Sequence, residues 1–137
     1  MTGPRRNDSS DPSAWIEFAA ADLATAEHTL RTQKPCPFWI VAYHAQQAAE
    51  KSLKAYLVWR MTPYPHTHDL RLLLDTCQAA GGEDWTEQHR EVEKITPMGV
   101  IARYPSLIRS VSREEAEWAV AAARRLLEVI KTETGLH

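Results

Sequence analysis

Residues 66–69 read His-Thr-His-Asp, two imidazoles and a carboxylate within four positions, at the end of the proline-rich stretch MTPYPHT. Neutral imidazole and carboxylate are ordinary zinc donors, so the set could supply metal ligands. The same residues also suit a helix start, with Asp69 as a first-turn acid favoured by the helix dipole and His68 as a hydrogen-bonded structural group. We therefore assign no metal and no other cofactor. A second group lies upstream, in HAQQAAEKSLKAYL at 44–57. On a helix, Tyr43, Gln47, Glu50, Lys51 and Lys54 share one side and form a polar stripe with an aromatic ring at its head. As a solvated face, the stripe would carry helical ion pairs such as Glu50 with Lys54. As a site, it would offer amide, carboxylate and ammonium groups to a polar ligand. Gly81-Gly82 is not a phosphate loop, because Glu83 and Asp84 follow it and would repel an anion.

These groups need elements to hold them. From Ser13, the residues Ile16, Ala19, Ala20, Leu23, Ala26 and Leu30 recur at three- and four-residue steps, which predicts an amphipathic helix to about Gln33. KPCP at 34–37 ends it, since proline cannot donate in a helix interior. A second helix is expected from about Pro37 to Arg60. Its other side presents Ala42, Ala45, Ala49, Leu53 and Tyr56, and small residues there predict close approach of a neighbouring helix. Thr67 stands where it could cap a third helix bearing Leu70, Leu73, Leu74 and Cys77, which Gly81-Gly82 would close. Asp84 with Glu87 suggests a capping box for a fourth helix, interrupted at Pro97 and Gly99. Ser112 with Glu115 suggests another, opening a last helix that ends near Gly135. The fold expected is all-α, a compact up-and-down bundle of about five helices over 13–137, with residues 1–12 a disordered polar arm.

The bulk numbers exclude several classes. At 137 residues the chain has the length of one domain. Its 16 basic and 18 acidic side chains create no global field for nucleic acid or membrane, so any anion site must be local. Cys36 and Cys77 lack C-x-x-C spacing, no early stretch resembles a signal peptide, and the longest apolar run, Phe38 to Tyr43, is too short to span a bilayer. A reducing, cytoplasmic setting is expected.

The core Q-Q-A-A-E-K-x-x-K-A within HAQQAAEKSLKAYL, then THDLRLLL at 67–74 and ARYP at 102–105, in that order and at that separation, resembles the HEPN domain family (higher eukaryotes and prokaryotes nucleotide-binding). The resemblance covers nearly all of the chain after the arm. It implies a helical bundle, often dimeric, and a nucleotide or RNA ligand. Many prokaryotic members of the family sit beside a minimal nucleotidyltransferase as toxin–antitoxin pairs, and a large subset are metal-independent ribonucleases. The implied partners are a second copy of the chain, a nucleotidyltransferase, and RNA or a nucleotide. Tyr43, Gln47, Lys51, Lys54, His68, Asp69, Arg103 and Tyr104 are the candidate binding residues. We expect the stripe and the His68-Asp69 pair to approach one another, because the proline loop reverses the chain between them.

The ribonuclease subset carries R-x(4–6)-H near the start of the last major helix. Arginine can hold the scissile phosphate and histidine can move a proton near neutral pH. Here Arg103, Arg109 and Arg113 are followed by no histidine until His137. The one match, Arg60 to His66, falls between the second and third helices, where chance alone supplies about one such pair in a chain of this composition. The chain also departs from the family in having Gly99, close to Pro97, where an aromatic often precedes R-Y-P. Three functions stay open: a helical partner of a nucleotidyltransferase, a non-catalytic nucleotide-binding or scaffolding dimer, and a ribonuclease.

Overall fold

The computed structural model describes residues 10–95 and 111–137. Five α-helices stand among them: α1, Pro12–Thr32; α2, Phe38–Trp59; α3, Leu70–Cys77; α4, Glu83–Gln88; and α5, Arg113–Thr134. A wide turn at Gln78–Gly82 prolongs α3, and a 3-10 segment, Arg90–Ile95, follows α4. No strand occurs among the described residues, and the fold is the all-α bundle expected. Residues 1–9, and the expected interruption at Pro97 and Gly99, lie outside the described residues.

Local chemistry sets the helix ends, not always at the expected residue. The Asp11 side chain accepts from the Ser13 N–H at 3.0 Å, and Pro12 takes the first helical position, where its missing donor costs nothing. Asp11 thus caps α1 and Pro12 opens it, so the helix begins one residue earlier than the Ser13 expected. At α3 the cap is Asp69, which accepts from the Arg71 N–H at 3.0 Å. Thr67 accepts from the Asp69 N–H instead, so both oxygens are used two residues apart and the helix starts at the second. The Asp84 capping box does not form: Gly82 precedes α4 without a side-chain cap, and Glu83 and Asp84 lie in its first turn. The chain reverses at Gly81 (φ 116°) and rewinds at once, and Gly82 packs so closely on Trp85 that a Cβ would meet its ring at 2.9 Å. Ser112 and Glu115 form the expected capping box, and Gly135 ends α5 in the left-handed region.

α1 and α2 run antiparallel, since Trp15 early in α1 meets Lys54 late in α2 while Asp22 meets His44 and Lys51. α5 lies against both, and α3 packs on α2. The alanines make this possible. Ala19 and Ala26 of α1, Ala42, Ala45, Ala48 and Ala49 of α2, and Ala116, Ala119, Ala122 and Ala123 of α5 are all fully buried. Leu23, Leu53, Leu57, Leu126 and Leu127 fill the space between them. Each such leucine contributes about 1.5–3 kcal/mol through burial, so packing outweighs the partly exposed ion pairs between Glu27 and Arg124 and between Glu91 and Arg125, worth about 0–1 kcal/mol each.

Candidate functional site

The polar side of α2 divides between two carboxylates. Glu50, only 4% exposed, accepts at Oε1 from Gln46 Nε2 at 3.1 Å and from His68 Nδ1 at 2.9 Å, and at Oε2 from Lys54 Nζ at 2.9 Å. Gln46 also donates to the His68 carbonyl at 3.3 Å, and Gln47 donates to the Gln46 side-chain oxygen at 2.8 Å. Asp22 of α1 takes the other half, with Lys51 Nζ at 2.6 Å on one oxygen and His44 Nδ1 at 3.0 Å on the other. Each carboxylate is therefore shared by one lysine and one imidazole.

Aromatic rings close over the inner cluster. Lys54 Nζ lies 5.3 Å from the Tyr64 ring centre and 5.8 Å from that of Trp15, and these two rings meet edge to face at 5.6 Å. Tyr64 also meets the His66 ring at 5.7 Å. The ammonium thus sits between a carboxylate and two π faces, which makes its burial tolerable. Burial pushes the Glu50 pKa up, but the Lys54, His68 and Gln46 contacts outweigh it and hold the group below its ordinary value. Glu50 is a carboxylate at neutral pH, able only to accept, and so fixes hydrogens on every partner.

The stripe expected on a solvated face is in large part covered. Glu50 and Lys54 do form the i,i+4 pair anticipated, but both are buried, because α1 brings Trp15 and the proline loop brings Tyr64 over them. His68 joins Lys54 through Glu50, so the stripe and the start of α3 do converge. Tyr43 is 37% exposed beside His44, Gln47 is tied to Gln46, and Lys51 is turned to Asp22. Asp69 is spent as the α3 cap. Arg103 and Tyr104 lie outside the described residues.

Arg60 and His66 make separate contacts. Arg60 Nε donates to the Ala80 carbonyl at 2.7 Å and its guanidinium lies near Gly81 and over the Trp59 ring, so it helps close the end of α3. His66 is exposed against Tyr64 and helps line a cleft of about 540 Å³ with Val58, Met61, Thr62, Pro63 and Tyr64. Met61 holds a left-handed conformation there (φ 57°), which costs a side-chain-bearing residue about 1–2 kcal/mol. Among the described residues no three histidine, cysteine or acidic side chains are grouped to hold a metal: His66 and His68 turn to different partners.

Sequence reasoning left Trp15, Asp22, His44, Gln46 and Tyr64 out of the candidate site, although His44 and Gln46 stand in the stretch that carries the resemblance. A signal existed for two more, since Trp15 and Asp22 lie seven residues apart on α1 and interrupt its alanine-rich face. Tyr64, between two prolines, has no period to betray where it goes.

Comparison with curated proteins gave no match, nor did comparison with solved structures. A family model does match, the HEPN domain, over residues 12–133, from the first turn of α1 to the last of α5. The residues that carried the resemblance, Gln46, Glu50 and His68 among them, meet in one hydrogen-bonded cluster; by the extent of the match, the chain belongs to the HEPN domain family.

Proposed function

We propose that this protein is the small helical partner of a nucleotidyltransferase in a toxin–antitoxin-like module, and that it binds RNA or a nucleotide at the junction of α2 and the 61–68 loop. The observation that supports this reading best is the Glu50 cluster. It joins the polar side of α2 to an exposed imidazole, beside a cleft whose Tyr64 and His66 rings suit a nucleobase, because base–aromatic stacking tolerates any base. Lys51 and Lys54 each face a carboxylate, so binding here depends on stacking and hydrogen bonds more than on a free positive field. The direct test is fluorescence anisotropy of a short labelled single-stranded RNA, and competition by nucleoside triphosphates, with the wild type and Tyr64→Ala. Saturable binding that Tyr64→Ala weakens is expected, and no binding of either ligand class would sink the reading. The partner is tested separately by the neighbouring reading frames and by co-purification with a nucleotidyltransferase encoded there.

A second reading is a non-catalytic nucleotide-binding or scaffolding dimer. Phe18, Trp59, Met61 and Leu72 are each exposed by more than a third, which favours pairing through helix faces. Light scattering on a size-exclusion column should return twice 15.5 kDa, and a monomer at micromolar concentration would exclude a dimer. In both readings Arg60 and His66 do not act as a catalytic pair, which the bond from Arg60 Nε to the Ala80 carbonyl supports. Induced expression should then cause at most weak growth arrest, unchanged by His66→Ala. RNA loss that disappears in both Arg60→Ala and His66→Ala at matched protein levels would make the chain a ribonuclease.

A further inference from the structure

Of the groups at this junction, His68 is the one whose ring is both tied to a buried carboxylate and largely exposed. Its side chain is 63% exposed, yet its Nδ1 lies 2.9 Å from Glu50 Oε1, a buried oxygen already accepting from Gln46. An ionised carboxylate has no hydrogen to give, so the hydrogen in this bond belongs to Nδ1. In the neutral ring, Nε2 then carries a lone pair and no hydrogen. A ring exposed at its outer edge and tied at its inner one offers an acceptor to solvent. Gln46 secures the backbone as well, because its amide donates to the His68 carbonyl at 3.3 Å. Both the ring and its segment are held by buried groups of α2.

An acceptor at that point selects the ligand group. Phosphate oxygens are acceptors themselves and gain nothing from a neutral Nε2, and the nearby ammonium of Lys54 is already taken by Glu50. Of the donors a nucleotide offers, base N–H groups differ from base to base, whereas a sugar hydroxyl is common to all ribonucleotides and is the group that completes the bond whatever the base. Resting on the reading that the ligand is RNA or a nucleotide, we propose that His68 Nε2 accepts a hydrogen bond from a sugar hydroxyl, with Glu50 as the positioning residue that sets its tautomer. The site then prefers ribonucleotides to their deoxy counterparts, while Tyr64 and His66 serve the base without reading it. A site built to receive a hydroxyl rejects an analogue that lacks one, because its acceptor would lose water without replacement.

The test has a spectroscopic arm and a binding arm. A long-range proton–nitrogen spectrum at mildly alkaline pH should show His68 with its hydrogen on Nδ1, and a ring with the hydrogen on Nε2 would overturn the proposal. In the binding arm, each of the four ribonucleoside triphosphates is compared with its 2′,3′-dideoxy counterpart, and an RNA oligonucleotide with DNA of the same sequence. The wild type should favour the hydroxyl-bearing ligand by about tenfold, the worth of one well-made hydrogen bond. His68→Asn is the decisive variant: its amide can still donate to Glu50 from the place of Nδ1 but has nothing at the place of Nε2. It should stay folded and lose the preference, while His28→Ala, on an exposed part of α1, should keep it. Equal affinities in the wild type, or a preference that survives in His68→Asn, would overturn the sugar contact alone. No binding of any ligand would overturn the functional reading and the sugar contact together.

Discussion

At the scale of single residues, Glu50 is the group on which most depends. Removing its charge leaves Lys54, 8% exposed, without its counter-ion under two aromatic rings, and leaves His68 with a weaker acceptor. Breaking one side of a buried pair is far costlier than losing a surface pair, so Glu50→Gln, which keeps the side chain's shape, should reduce unfolding free energy by about 3 kcal/mol. Lys51→Gln, at a pair whose lysine is 27% exposed, should cost about 1 kcal/mol or less. Urea denaturation of the two variants checks the order. The same carboxylate sets an acid response. Its folded pKa is lower than that of the unfolded chain, so its stabilisation is complete above the ordinary value of 4.5 and is lost as pH falls through the depressed one. His89 adds an earlier step: burial lowers its pKa, its buried Nδ1 has no hydrogen-bond partner among the described residues, and the stability linked to it declines as pH falls below 6.5. Denaturation midpoints measured down the pH scale should fall in two stages, with His89→Leu removing the first and Glu50→Gln flattening the second.

At the scale of the helix, the alanines of α2 are the contact that lets α1 and α5 approach it together. Ala49 has no exposed surface, so Ala49→Leu forces extra methylenes into filled space and should destabilise by about 1–3 kcal/mol, despite leucine's good helix propensity. Thermal melts of Ala49→Leu beside Ala24→Leu, at an exposed position of α1, separate overpacking from propensity. The helices themselves were legible because a 3.6-residue period survives over twenty residues in α1, α2 and α5. Their ends were less so. T-H-D at 67–69 holds two residues able to cap, and the one that caps is Asp69, which follows the His68 bonded to Glu50. Gly82 replaced Asp84 at the start of α4 because Trp85 needs the space beside a residue with no side chain. For the site, the meeting of Lys54 with His68 followed from a chain reversal that prolines announce. That the pair would be buried did not, since burial comes from Trp15 and Tyr64, forty-nine residues apart in sequence and adjacent only after folding.

At the scale of the whole molecule, one core spans all five described helices, with Leu70, Leu73, Leu74 and Trp85 of α3 and α4 continuous with the packed faces of α1, α2 and α5. None of the described helices is long and apolar enough to cross a membrane. A core of this kind unfolds as a unit, and the two thiols are placed to time that event. Cys77 has no exposed surface, its Sγ lies 3.6 Å from the Leu53 carbonyl, and burial pushes its pKa far up, so it neither meets a reagent nor forms the reactive thiolate while α3 is seated on α2. Cys36, in the connection between α1 and α2, is half-buried and lies outside that constraint. A disulfide reagent in excess should therefore consume one thiol promptly and the other slowly, at a rate that denaturant accelerates and Glu50→Gln raises. Two prompt thiols would mean that α3 leaves α2 on its own. Read this way, the buried sulfur is a clock carried within the native chain, wound by the packing of α3 and stopped only when the core opens.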